Sequence, residues 1–212
     1  MPIKNISKNS ILAAQFRIKF KDIFNLKQLY IAMHEWMLEN DWTSVGFDSK
    51  GNIELENKDH FETLYLERIE PNGAKEMYWF WRLQKLPVHN SYYKYHLDVD
   101  YHPLYIFPTE VVREGKKLKA HKGEVEVKIW AYIEFDYKGE WSRHPILRFF
   151  NRMFPERIFR RDLYSKHKKE LYREAYILQA FMKKWFKLKS FLPSEEITPF
   201  FPSKAYPAWR KE

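Results

Sequence analysis

The chain has 212 residues, 45% hydrophobic and 18% aromatic, which is enough apolar material for a packed core and argues against disorder. It contains no cysteine, which excludes disulfides, thiolate nucleophiles and cysteine-ligated zinc or iron–sulfur centres. The formal charge is +9 and the excess is local: residues 138–189 hold 15 Lys/Arg against 5 Asp/Glu, whereas residues 1–137 hold 19 against 20.

In chain order, QFRIKFK at 15–21 alternates, with Phe16, Ile18 and Phe20 on one side, and predicts a strand. NLKQLYIAMHEWMLEN places Leu26, Leu29, Tyr30, Met33, Trp36 and Met37 on one helical stripe, with Asn25 and Gln28 as its capping pair. DSKGN at 48–52 reads as a turn between short extended pieces. Residues 62–69 and 74–86 flank Pro71-Asn72-Gly73, the signature of a hairpin. In YKYHLDVDYH, at 93–102, Tyr93, Tyr95, Leu97, Val99 and Tyr101 alternate with Lys94, His96, Asp98, Asp100 and His102. That predicts a strand with one buried and one solvent-facing row. Pro103 and Pro108 mark irregularities or an edge position, and KKLKAHK, between Gly115 and Gly123, is placed around a hairpin tip.

EVEVKIWAYIEFDY at 124–137 is the longest predicted strand, with Val125, Val127, Ile129, Ala131, Ile133 and Phe135 as its apolar face. Beyond Gly139 the period becomes helical. Ser142 is a candidate cap for a short helix with Pro145 in its first turn. Pro155 separates that helix from a long one over 156–189, whose stripe is Tyr164, Leu171, Ala175, Leu178, Met182 and Trp185. Residues 190–212 hold four prolines with Phe200, Phe201, Tyr206 and Trp209 and no period, and read as an extended arm docked on its own body or on a partner.

This order is α+β: one domain over 1–189, with a mainly antiparallel curled sheet of about six to seven strands, one N-terminal helix and a long C-terminal helix, followed by the arm. Carried by QFRIKF, NLKQLYIAMHEWM, the strand series ending in EVEVKIWAYIEFDY and the helix through LYREAYILQAFMKKWF, it resembles the helix-grip superfamily, the START and Bet v 1-like proteins. The resemblance implies a final helix lying across the sheet and an apolar cavity for lipids or aromatic small molecules; some members of that family act on ribosomes or chaperones. No motif of the family matches, so no site residue is carried over. The basic stretch at 143–173 and the proline-rich tail are outside that pattern.

Chemistry-bearing candidates are few. His96, Asp98, Asp100 and His102 share one strand face about 6.6 Å apart and could converge on a divalent ion, or form the wet side of a strand paired with Arg82, Glu126 and Lys128. Trp79, Phe80, Trp81, Trp130 and Tyr132 alternate faces, so some rings either stack on nucleic-acid bases or pack beneath helices. Arg157, Arg160, Arg161, Lys168, Lys169 and Arg173 line the first half of the long helix, and Lys116, Lys117, Lys119 and Lys122 the hairpin. Asp162, Glu170 and Glu174 could pair with neighbouring bases at i,i+4, but five acids leave most of fifteen bases unmatched.

Phe181, Met182, Trp185 and Phe186 beside lysines fit a core-facing helix end better than a membrane-surface one. No phosphate-binding glycine loop, HExxH or GxSxG occurs, and no cofactor is implied. No apolar run is long enough to span a bilayer and no signal-like segment leads the chain, so a soluble cytoplasmic protein is expected. The leading expectation is a non-enzymatic protein whose basic helical face associates with RNA or a ribonucleoprotein such as the ribosome. A helix-grip ligand binder, perhaps an enzyme, and a subunit that self-associates or meets a protein partner through its arm are the alternatives.

Overall fold

The structure, a computed structural model, describes residues 10–47, 53–57, 61–87, 92–113, 115–147, 149 and 166–188. Its elements are β1 (Ser10–Phe24), α1 (Leu26–Glu39), β2 (Thr43–Phe47), β3 (Ile53–Asn57), β4 (Glu62–Ile69), β5 (Lys75–Lys85), β6 (Tyr93–Arg113), β7 (Lys116–Phe135), α2 (Glu140–Arg143) and α3 (Lys168–Trp185). The strands form one antiparallel open sheet in the order β1-β7-β6-β5-β2-β3, with β4 also pairing β5. The fold is α+β, with α1 and α3 on one face of the sheet.

That face is set by alternation. Residues opposite one another in antiparallel strands share a face, which creates apolar rows across four strands: Ala14–Ala131–Leu97–Leu83, Phe16–Ile129–Val99–Trp81 and Ile18–Val127–Tyr101–Trp79. α1 covers the β5 side, where Tyr30 meets Trp79 and Trp81 edge-on. α3 covers β1 and β7, burying Leu171, Ala175, Leu178 and Met182, and Phe186 just beyond its end stacks on Phe20 with ring centres 4.7 Å apart.

Local chemistry sets the element ends. The Asn25 side chain accepts from the Gln28 N–H at 3.1 Å and starts α1. The α1 chain reverses at Asp41, which takes a positive φ, and Trp42 is then buried with its indole N–H donating to Glu174 on α3. Gly73, at φ +81°, turns the β4–β5 hairpin, where the Asn72 side chain accepts from the Ala74 N–H.

β6 and β7 form a long ribbon with one bulge. Leu104 opposes Glu124 and Phe107 opposes Lys122, so Tyr105 and Ile106 share the single partner Gly123. A Cβ there would lie 2.8 Å from the Tyr105 carbonyl oxygen and 3.0 Å from that of Leu104, so only glycine fits. Pro103 and Pro108 flank this irregularity, as expected.

Three boundary expectations are corrected. KKLKAHK begins β7, so its lysines run along the strand, and Gly115, at φ +73°, lies in the turn. Ser142 lies inside α2, which starts from Gly139. β6, with 21 residues, exceeds β7, with 20. The turn at 48–52, the segment 150–165 and the arm at 190–212 lie outside the described residues.

Candidate polyanion-binding surface

The outward row of 93–102 is not a wetted surface. Asp98 is only 2% exposed and Asp100 is also buried, on a face without a described helix. Alternation fixed which side these residues take, but their partners there, Arg82 and Tyr132, come from neighbouring strands. Arg82 on β5 lies between the two carboxylates, with Nη1 2.7 Å from Asp100 Oδ1 and Nε 3.9 Å from Asp98 Oδ2, and its guanidinium sits over the Phe80 ring. The Tyr132 hydroxyl donates to Asp98 from β7, and His96 stacks flat on Tyr132 while its Nε2 meets Glu134 at 2.7 Å. His102 repeats the arrangement, stacked on Tyr78 with Nε2 2.9 Å from Glu76.

Burial pushes the Asp98 carboxyl above the usual range, with Arg82 and His96 opposing the shift. The hydrogen bond from His102, followed by that from Tyr78, holds Glu76 below it. His96 and His102 are thus taken by different carboxylates, and Asp98 and Asp100 by Arg82. Among the described residues no group of three or more His, Asp or Glu is arranged to hold a metal ion. The four candidate ligands instead tie β5, β6 and β7 together.

The sheet acids also match the bases of β1. Arg17 meets Glu126 at 2.7 Å, Lys19 meets Glu124 at 2.6 Å, and Lys128 meets Glu126 at 3.0 Å. The near-neutrality of residues 1–137 is therefore realised in contacts as well as in the sum. A shallow depression of about 300 Å³ lies at this margin, lined by Gln15, Phe16, Arg17, Lys128 and Trp130. Of the alternating aromatics, Trp79 and Trp81 pack beneath α1, whereas Phe80, Trp130 and Tyr132 lie on the outer face.

On α3 the charges separate by sector. At 100° per residue, the buried Leu171, Ala175, Leu178 and Met182 occupy one side. The only acids of the helix, Glu170 and Glu174, lie on a flank and turn to the body: Glu170 accepts from the Tyr95 hydroxyl at 3.0 Å, and Glu174 from Trp42 Nε1 at 2.9 Å and Lys85 Nζ at 2.8 Å. The opposite arc carries Lys169, Tyr172, Arg173, Tyr176, Ile177 and Lys184, all exposed. It holds no carboxylate, and neither Lys169 nor Arg173 has an ion-pair partner among the described residues. The Tyr172 and Tyr176 rings lie 4.3 Å apart at their centres.

Of the predicted contacts, Lys169 and Arg173 fall on this arc and Lys168 is half-buried at its side. Arg157, Arg160 and Arg161 lie outside the described residues. Lys117, Lys119 and Lys122 are exposed along β7, Lys117 facing Glu110 at 3.7 Å, and Lys116 is the first residue of that strand.

Lys169 and Arg173 lie toward the end of α3 that is away from the hairpin. His167, at the start of α3, packs on Tyr93 and Tyr95, whereas Phe186, beyond its other end, packs on Phe20 and Phe24 beside the hairpin base. The α3 lysines on the hairpin side are Lys183, Lys184 and Lys187. Sequence reasoning missed Tyr172 and Tyr176, although their i,i+4 spacing beside Lys169 and Arg173, off the Leu171–Ala175–Leu178–Met182 stripe, was the available signal. No helix among the described residues is long and apolar enough to cross a membrane. In comparisons with known proteins, no family model, no curated protein and no solved structure matches this chain.

Proposed function

We propose that this is a non-enzymatic binding protein that associates with RNA, or with a ribonucleoprotein such as the ribosome, through the outer arc of α3. One observation carries the reading: the acids of α3 are committed to Tyr95, Trp42 and Lys85, while its outward arc presents bases and a pair of tyrosines without a carboxylate. Ammonium and guanidinium groups meet phosphates and release counterions, which gives affinity and position without choosing a sequence. Exposed tyrosine rings between them add a surface on which unpaired bases stack. Arg157, Arg160 and Arg161 extend the cationic run toward the chain's middle, and Lys116, Lys117, Lys119 and Lys122 supply a separate contact at the hairpin.

Fluorescence anisotropy with single-stranded and duplex RNA tests this. Affinity falls linearly on a log–log salt plot, with a slope of about −0.7 per phosphate neutralised on single strands. The variant K169E/R173E flattens that slope and leaves the melting temperature unchanged. Y172A/Y176A weakens single-stranded binding by about 1–3 kcal/mol per lost stacking contact and spares duplex binding. Absence of binding at low salt, or binding indifferent to salt, overturns the reading.

A second reading has its own support. Trp79 Nε1, Trp81 Nε1 and the Tyr101 hydroxyl are buried together, without a hydrogen-bond partner among the described residues, beneath α1. A protein of helix-grip kind would fill such a place with a neutral aromatic or lipid-like ligand bearing acceptor atoms, since an unpaired buried donor is costly. Mass spectrometry of small molecules released on denaturing natively purified protein tests it. A stoichiometric neutral compound supports the ligand binder, and an empty extract rejects it.

A further inference from the structure

The sheet has a second unclosed margin, β4, away from α3. Among the described residues β4 pairs only with β5, so one row of its backbone N–H and C=O groups has no strand beside it. Its side chains are uncovered on both faces: Leu64 is 46% exposed, Tyr65 56%, Leu66 53% and Ile69 64%. An uncovered apolar strand with a free backbone edge is a template for another strand. The other long margin, β1, is protected against its own kind. Arg17, Lys19 and Lys21 stand at alternate positions, so antiparallel pairing of that segment with its copy opposes like charges. β4 has no such guard.

We propose that β4 pairs antiparallel with β4 of a second copy about a two-fold axis at Tyr65, joining the two sheets into one. Opposed residues must share a face, so the permitted registers differ by steps of two residues. The register centred on Tyr65 sets Leu64 opposite Leu66 of the second copy, on the face of Phe80 and Tyr78, and Tyr65 opposite its own counterpart on the face of Trp79. Thr63 then opposes Glu67. The register of β4 breaks between Glu62 and Leu64, and Glu62 beyond the break faces inward, its carboxylate accepting from the Tyr30 hydroxyl, so Arg68 of the second copy meets no like charge there. A slip of two residues one way sets Arg68 against Leu64. The opposite slip runs Leu66 onto the break at Glu62–Leu64. The Tyr65 register alone matches apolar with apolar and leaves no like charges opposed, and the resulting contact is isologous and closed.

The chain's lack of cysteine makes the register directly readable. In the full-length protein, light scattering gives twice the chain mass, and Leu66→Lys shifts it to the monomer mass with an unchanged melting temperature. Tyr65→Cys, whose thiols meet on the axis, oxidises to a disulfide-linked dimer. Leu64→Cys does not, because its two thiols stand two residues out of register, beyond the reach of an unstrained disulfide. Three results overturn the proposal: a wild-type monomer at every soluble concentration, a dimer that Leu66→Lys leaves intact, or Leu64→Cys cross-linking as readily as Tyr65→Cys.

Discussion

Arg82 has the most constrained role of any residue described. Among the described residues it is the cation placed between Asp98 and Asp100, two carboxylates taken out of water. Removing it strands both charges, and Arg82→Ala is expected to cost about 3–5 kcal/mol at neutral pH in urea unfolding, far more than its contact area would suggest. Asp98 adds a pH signature. Burial raises its carboxyl above the unfolded value, so its contribution to stability is complete below the unfolded range and is lost as pH rises through the folded one. Asp98→Asn does not titrate. Its stability relative to wild type should therefore increase as pH rises from about 4, the unfolded carboxylate range, as followed by thermal melting, and a constant gap would contradict the argument. This network was only half legible in YKYHLDVDYH. Alternation gave the face of each side chain, but their partners Arg82 and Tyr132 come from other strands.

At the level of elements, legibility followed the range of the causal interaction. α1 could be read because its stripe and its Asn25 cap are local, and the β4–β5 hairpin because Asn72-Gly73 supplies both the side-chain acceptor and the positive φ. The inward face of β7 was likewise correct, from Val125 to Phe135. The bulge was signalled only by Pro103 and Pro108, because its position depends on Gly123 of the neighbouring strand. Gly123→Ala drives a methyl group into two carbonyl oxygens that belong to the ladder and cannot turn aside. The expected loss is about 1–3 kcal/mol by thermal melting, and an unperturbed variant would mean that the ribbon is not held in this register. α3 shows the opposite failure. Leu171, Ala175, Leu178 and Met182 of its predicted stripe are buried, Trp185 is half-buried and Tyr164 lies outside the described residues, yet the tyrosine pair on its far arc escaped notice, because an aromatic residue on a helix is first assigned to the core.

For the whole molecule, the distribution of charge matters more than its total. The body neutralises itself through cross-strand pairs, and α3 engages its two acids, the exposed Glu170 and the half-buried Glu174, with Tyr95 and Lys85. The expectation that the cationic surplus stands clear of the protein's own carboxylates therefore holds for Lys169 and Arg173, the residues whose surroundings are described. α3 crosses the sheet with its Lys169 end directed away from the hairpin lysines.

α3 crosses the sheet over β1, β7 and β6, while the free edge of β4 lies on the other side of β5, so the cationic arc and the free edge are separate surfaces. Two copies joined edge to edge would carry two arcs, neither of them at the join. Such an object is bivalent. On a long phosphate chain the second arc would engage at a local concentration set by the first, and avidity would allow two individually weak grips to act as one firm hold.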